Sequence, residues 1–319
     1  MPDLDAVFCE AIAHYTAGDP MQEGVLWTNL SRPKIAEALA KRGCPVSVTV
    51  VDQLLARHRL GRRSNEKSLP LGRHPQRNRQ FEIIARYRQQ FADAGNPIVS
   101  IDTKRKEFLG LLFRSGKRYT QKAARAYDHD FPQSATGVVY PHGLYDCQRN
   151  RGHLNLGLSH DTSRFACESI ARWWNQYGRF AYPDAKQILF LCDGGGSNSS
   201  RRHVFKHGLE QLAQRIQREI RVAHYPPYCS KFNPIEHRFF PHVTEACRGL
   251  LFPSLEVVRA AMANTRTRFG LKTTVDILEG EYPLKEKAPV GYKTSSKIVF
   301  DEELPGWNYC AISAKWGSY

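Results

Sequence analysis

The sequence predicts a mixed α/β domain, a sheet flanked by helices, preceded by a small all-α region. Three observations carry this. Apolar runs of strand length at 98–103 and 188–192, one holding Asp102 near its end and the other followed by Asp193, read as buried strands. From residue 154 onward, strand-like and helix-like segments alternate, as in folds where helices pack on a sheet. The segments that can be read before Pro97 have helical spacing instead.

Ser31 is placed to cap a helix with Ile35, Ala36 and Leu39 on one face, ending at Gly43. After Cys44-Pro45 a second helix starts near Ser47 or Thr49, turns Val51, Leu54 and Leu55 inward, and ends in Arg57, His58 and Arg59. This is helix-turn-helix spacing. If it reads DNA, Ser47, Thr49 and Gln53 lie near base edges and Arg57 and Arg59 on phosphates. If it is an ordinary helical hairpin, the same side chains are simply solvated. The tract from Gly61 to Arg79 holds Arg62, Arg63, Lys67, Arg73, Arg77 and Arg79 among Gly, Pro, Ser and Asn, and reads as a linker able to track phosphates or as a solvated charge run. Residues 1–75 are therefore expected to form the helix-turn-helix region with its basic linker. Residues 76–96 are expected as a connecting helix, with Phe81, Ile84, Tyr87 and Phe91 at helical spacing before the stop at Gly95-Asn96-Pro97.

Four strands are expected next, at Ile98–Thr103, Phe108–Phe113, Gly143–Cys147 and Leu154–Ser159. A helix carrying Ala166, Ile170, Trp173 and Tyr177 follows and ends at Gly178. The apolar strand Ile188–Cys192 delivers Asp193, a helix carries Phe205, Leu209, Leu212, Ile216 and Ile220, and a strand lies near Val222–Tyr225. A helix bearing Glu236 begins after Pro226-Pro227. Residues 97–250 are the expected principal domain. Residues 251–319 are expected as a helical extension, around Leu255–Arg268, and a tail with Trp307 and Trp316.

Lys and Arg number 46 against 31 Asp and Glu, a net charge of +15 on 319 residues, which suits a polyanionic partner. No apolar run approaches the ~18 residues that span a membrane. Asp3, Asp5 and Glu10 stand where a basic signal-peptide head would be, so a cytoplasmic, nucleoid-associated protein is expected. The eight cysteines are scattered without a C-x-x-C pair, which indicates neither a zinc ribbon nor a disulfide framework, and most are expected as buried thiols.

Asp102, Asp193 and Glu236 are the candidate catalytic residues. Buried carboxylates that converge must be protonated or neutralised by a cation, and an all-oxygen set favours Mg²⁺ or Mn²⁺ over Zn²⁺. Each residue also has a plain alternative. Asp102 can end a strand in a turn, Asp193 can precede a glycine loop, and Asn233-Pro234-Ile235-Glu236 is a good helix start with Asn as cap, Pro at the first position and Glu in a capping box. The glycines at 194–196 match neither the P-loop nor the dinucleotide pattern and read as room beside Asp193. His237 and Arg238 adjoin Glu236 and can contact a phosphate or remain on the surface, as can Lys231. His224 reads as a structural strand histidine. Asp128, Asp130 and Asp161 are further acids, with His129–Pro132 taken to organise a basic insertion. In that insertion Lys104, Arg105, Lys106, Arg114, Lys117, Arg118, Lys122 and Arg125 are expected to hold a DNA backbone near Asp102.

The order of elements resembles the ribonuclease-H-like fold, in which a first-strand Asp, an Asp after the fourth strand and a Glu on a late helix meet. Asp102, Asp193 and Glu236 fall in those slots, the last two 43 positions apart. The stretches SIDTK, HDFP, YPHGLYDCQRNRGHLNLGLSHDT, RWWNQYG, CDGGGSN and HYPPYCSKFNPIEHRFF together resemble DDE transposases of bacterial insertion sequences of the ISAzo type, the thirteenth-named group, from about Trp27 to about Leu271. The resemblance implies two Mg²⁺ or Mn²⁺ ions on the three carboxylates. It further implies cleavage of element ends and transfer of the 3′-hydroxyl into target DNA, double-stranded DNA as partner, and at least a dimer to pair two ends. Two departures from the resemblance are expected to matter: the family tends to carry more DNA-binding sequence at the N-terminus, and Pro241 falls inside the helix of Glu236, where it is expected to bend the axis. Two rivals remain, a metal-dependent nuclease of the same fold that does not join strands, and a non-catalytic DNA-binding remnant.

Overall fold

The computed structural model describes residues 3–13, 15–19, 22–63, 74–290, 292 and 297–313. Lys67, Arg73 and Trp316 lie outside the described residues. The chain divides into two compact units, Met1–Leu69 and Pro70–Tyr319.

The first unit contains α1 (Leu4–Ala13), the antiparallel hairpin of β1 (Thr16–Asp19) and β2 (Gln22–Thr28), α2 (Arg32–Ala40) and α3 (Val48–Arg57). Phe8, Ile12, Ile35, Leu39, Val51 and Leu54 form its core. Ser31 and Ser47 precede the two helices, and the Ser47 hydroxyl accepts from the Val50 amide at 3.3 Å. Gly43, at φ +79°, allows the chain to turn between them. Sequence reasoning did not anticipate α1 or the hairpin. Through α1, Asp5 binds Arg57 and accepts from His58 Nε2 at 2.9 Å. Arg57, expected on phosphates, is thus engaged within the unit.

The second unit begins with α4 (Arg77–Asp93), β3 (Ile98–Thr103), β4 (Glu107–Leu109), β5 (Gly137–Asp146) and β6 (Arg151–Gly157). It continues with α5 (Ser163–Trp173), α6 (Arg179–Ala181), β7 (Gln187–Cys192), α7 (His203–Ile216) and β8 (Glu219–His224). Last come α8 (Pro234–Arg238), α9 (Phe240–Cys247), α10 (Leu255–Ala263), β9 (Lys272–Leu278), β10 (Ile298–Phe300) and β11 (Asn308–Ala311). The sheet runs β10-β11-β8-β7-β3-β5-β6-β9, with β4 beside β5. Strands β3, β7 and β8 are mutually parallel, and β5 is antiparallel to both β3 and β6. Five strands in the order β6-β5-β3-β7-β8 give the ribonuclease-H-like sheet.

Strand alternation assigns the layers. Val99, Ile101, Ile188 and Phe190 face α5 and α7, against Ile170, Trp173, Phe205 and Leu209. Ile98, Leu189 and Leu191 face the opposite way and pack on Ile84 and Phe91 of α4. On that side Ile235, Phe239, Val243 and Met262 cover Tyr145, Leu154 and Leu156.

Several boundaries differ from expectation. The second strand stops at Leu109 because Gly110 (φ +119°) turns the chain and donates its amide to the Phe252 carbonyl, leaving Leu111 and Phe113 exposed. The helix expected to include Ile220 ends at Ile216, since Gln217 adopts a left-handed conformation and Ile220 belongs to β8. After α5 the helix passes Gly178 through a π turn at Trp174–Gly178. The helix of Glu236 is a single turn: Phe239 leaves helical geometry and α9 begins at Phe240 with Pro241 in its first turn, a break where a bend was expected. Helix α4 packs on the sheet, and its Arg77 and Arg79 are not linker residues: Arg77 contacts Phe81, Phe232 and Cys229, and Arg79 pairs with Glu82 and Glu303. Residues 251–319 add β9 to one sheet edge and β10 and β11 to the other, more than a helical extension and tail. All eight cysteines are free. Among the described residues no helix is long and apolar enough to cross a membrane.

Candidate active site

Period-two alternation places Ser100 and Asp102 on the sheet face that receives α8, and Asp193 follows Leu189 and Leu191 onto the same face. Strands β3 and β7 are parallel neighbours with Ile101 beside Cys192, so their carboxyl ends set Asp102 next to Asp193. Helix α8 adds Glu236, which lies within hydrogen-bond reach of Asp102. Burial, then the charge of Asp193 and the contact with Glu236, push the Asp102 carboxyl up to about 8, although the Thr103 amide donates to it at 2.8 Å. Burial and the charge of Glu236 push Asp193 up to about 6. The cluster therefore holds a proton near neutral pH when no cation balances it. Among the described residues no group of three His, Cys, Asp or Glu side chains stands ready as an ion cage. The chemistry of the donor set, carboxylate oxygens alone, with Asp102 and Asp193 raised in proton affinity, fits a hard divalent cation.

Asn233 is where the local structure departs most from the sequence reading. It occupies the cap position of α8, yet its side chain makes no cap bond. Fully buried, it accepts from the Ser100 hydroxyl and donates to the Ile101 carbonyl at 3.3 Å and to Asp193 Oδ1 at 3.4 Å. Ser100 Oγ in turn accepts from the Ile235 amide at 2.9 Å. These bonds tie the first turn of α8 to β3 and hold one oxygen of Asp193. Glu236 faces Asp102 and is not folded back in a capping box. Sequence reasoning missed Ser100 and Asn233. The signal was the Asn-Pro pair itself, which reads equally as a helix start.

His224, buried completely, has Nδ1 at 2.8 Å from the Asp193 carbonyl and Nε2 at 3.1 Å from the Tyr309 hydroxyl. Burial pushes it down to about 4, so the neutral ring donates to that carbonyl and supports Asp193 from behind. A cleft of about 690 Å³ opens beside Asp102 and Asp193, floored by Gly194–Gly196 and flanked by Tyr228 and Trp307. Gly196 has φ +65°. Tyr228 also has positive φ, +62°, while its ring is 65% exposed, an aromatic held out at the cleft in an uncommon backbone conformation. Neither Tyr228 nor Trp307 was singled out for this place from sequence.

The expected cations separate into two sets. Lys104 and Arg114 clamp the buried Glu107 at 2.7 and 2.6 Å, and Arg114 lies over the Phe252 ring. Arg118 donates to the Ala246 and Arg248 carbonyls at the end of α9. Arg105, Lys106, Lys117, Lys122, Arg125, Lys231, His237 and Arg238 are exposed, with Arg238 within hydrogen-bond reach of the Tyr145 hydroxyl. Asp130 accepts from the Phe113 amide and His129 stacks on Phe131, so this motif orders the insertion; Asp128 stands exposed beside His129. Asp161 accepts from the Thr103 hydroxyl, on the face opposite Asp102. In the first unit Ser47, Thr49, Gln53, Arg59, Arg62 and Arg63 are exposed.

The sheet order, with two strand-end aspartates and a helix-borne glutamate gathered at one end, is that of the ribonuclease-H-like class. The chain belongs to the family described as Rhodopirellula transposase DDE domain, matched over residues 8–313, and it is a DDE transposase, an enzyme of polynucleotidyl transfer. Similar solved structures include the Mos1 transposase paired-end complex with left transposon end, at 16% identity over 82% of this chain and 70% of that one, TM-score 0.46. The Mos1 strand transfer complex is similar at 16% identity over 82% and 70%, TM-score 0.44. The Mos1 mariner paired-end complex with Mn is similar at 17% over 76% and 72%, TM-score 0.42. No curated protein matches the sequence.

Proposed function

We propose that this transposase cleaves the ends of its insertion sequence and joins the freed 3′-hydroxyl to target DNA, with Asp102, Asp193 and Glu236 as ligands of two Mg²⁺ or Mn²⁺ ions. The observation that supports it is the meeting of these three carboxylates at the ends of β3, β7 and the start of α8, two of them with raised proton affinity. Held by these three carboxylates, such ions would supply Lewis acidity to the phosphodiester chemistry. The chain's own part is placement. Asn233 and His224 fix Asp193, Ser100 docks α8 and so Glu236, and the Gly194–Gly196 floor lets a phosphodiester approach Asp193 without side-chain collision.

Arg105, Lys106, Lys117, Lys231, His237 and Arg238 are proposed as backbone contacts on the catalytic unit. Ser47, Thr49, Gln53, Arg59, Arg62 and Arg63 are proposed for end recognition in bacterial cytoplasm, by a protein that acts as at least a dimer. Arg57, Lys104 and Arg118 are proposed to contribute through field only, since Asp5, Glu107 and two helix-end carbonyls hold them.

The test is a supercoiled plasmid carrying the element's ends, titrated with Mg²⁺ or Mn²⁺. Native protein should nick and join, and Asp102→Asn, Asp193→Asn and Glu236→Gln should each lose both steps and keep DNA binding. Joining that survives Asp193→Asn would refute the assignment. Nicks without strand-transfer products would establish the nuclease reading instead.

A further inference from the structure

We infer that the hollow between the C-terminal ends of α9 and α10 seats a phosphate of the duplex DNA backbone, a second anchor that none of the three carboxylates lines. The inference rests on the transposase reading and adds to it a specific place where DNA is gripped. The hollow, of about 450 Å³, is walled by Lys117, Arg118, His242, Arg248 and Arg266, with Glu245 as its one acid.

The ends of two helices would ordinarily repel an anion. Here Arg118 covers the last carbonyls of α9, donating to Ala246 and Arg248, and Glu245 faces Arg248 at 3.4 Å. Among the described residues Lys117 and Arg266 have no carboxylate partner, so their charge is available to a ligand. Thr265 is the most telling wall residue. It is 2% exposed, and its hydroxyl has no hydrogen-bond partner among the described residues. A buried donor without an acceptor, in a wall that also holds two available cations, fits an oxyanion with several oxygens. A backbone phosphate is favoured over a small free anion because the hollow opens beside the exposed basic stretch that continues through Lys122 and Arg125, on a chain of net charge +15.

The test uses the full chain and a short fluorescent duplex, with affinity measured from about 50 to 200 mM salt. Lys117→Gln and Arg266→Gln should each weaken binding severalfold and lower the slope of log affinity against log salt by about 1. Thr265→Val, which keeps charge and shape, should weaken binding with the slope unchanged. Arg179→Gln, an exposed arginine on α6 outside the hollow, is the reference and should alter neither. Slopes for Lys117→Gln and Arg266→Gln equal to that of Arg179→Gln, or native affinity in Thr265→Val, would overturn the inference. Sodium phosphate at matched ionic strength forms a second arm. Competition with duplex in native protein that is lost in Lys117→Gln supports the anchor. Phosphate binding lost in the variants while duplex affinity stays native would make this a site for the free ion and overturn it. Intact metal-dependent cleavage without any effect at the hollow would sink the anchor alone. Effects at the hollow in a native protein that neither nicks nor joins would sink the transposition chemistry and leave the anchor standing.

Discussion

Asp102 shows how one buried carboxyl couples stability to protons. Its carboxyl titrates near 8 in the folded chain and near 3.8 unfolded, so between those values the folded state binds more protons and stability falls as pH rises. Asp193, raised to about 6, adds to the same trend below pH 6. Metal-free protein should therefore lose stability from pH 5 to pH 8, and Asp102→Asn should stabilise it at pH 8 by on the order of 2–4 kcal/mol, read from urea unfolding in chelator. If the proposed ions bind here they must expel these protons, so the Mg²⁺ midpoint for cleavage should fall steadily from pH 6 to pH 8. A native stability that rises across this range in chelator would contradict the carboxyl environment described above. Asn233→Ala removes the amide that holds Asp193 and is expected to raise the Mg²⁺ needed for cleavage by roughly 10–100-fold, with native circular dichroism. An unchanged metal requirement would reduce Asn233 to a packing residue.

The decisive element is α8, whose short length is set by its neighbours. Pro241 lacks the amide needed to extend the helix, and Phe239 and Phe240 are buried against the sheet, so the chain breaks after one turn and re-enters as α9. The sheet makes room with glycine. A Cβ at Gly143, directly opposite Asp102 on β5, would lie 2.6 Å from Phe240 and 2.8 Å from Ile235. Gly143→Ala should push α8 and α9 off the sheet and carry Glu236 away from Asp102. The expected cost is about 1–3 kcal/mol in stability together with lower cleavage at fixed Mg²⁺. Full activity in that variant would show that the position of Glu236 is not governed by this contact.

For the whole molecule, the net charge of +15 is divided between cations held inside the fold and cations left on its surface. Lys104, Arg114 and Arg118 stabilise the insertion: a clamped Glu107, a stacked Phe252 ring and a covered helix end. The exposed cations of the insertion, such as Arg105, Lys106, Lys117, Lys122 and Arg125, should dominate non-specific DNA affinity, which is expected to fall by a factor of about 10³ or more between 50 and 200 mM salt if six or more phosphates are neutralised. A flat salt response would remove polyanion binding from the account of this charge.

The sequence by itself determined β3 and β7, because a strand buried on both faces needs a largely apolar run, and it nominated Asp102 and Asp193 where those runs close and Glu236 behind an Asn-Pro helix start. It also determined α2 and α3 through Ser47 and Gly43, whose local bonding and backbone freedom do not depend on distant chain. The strands β9, β10 and β11 were not legible, since β9 and β10 lie at the sheet edges, β10 and β11 span only three and four residues, and each acquires its identity from the neighbour it pairs with. The role of Asn233 was not legible for the same reason. Its amide can cap a helix or bridge two strand ends, and only the approach of Ser100, Ile101 and Asp193 from other parts of the chain decides between them. Local pattern can nominate a carboxylate, but its partner, its proton and its geometry come from residues brought together by the tertiary fold, because electrostatic and hydrogen-bond energies depend on distance in space and not on separation along the chain.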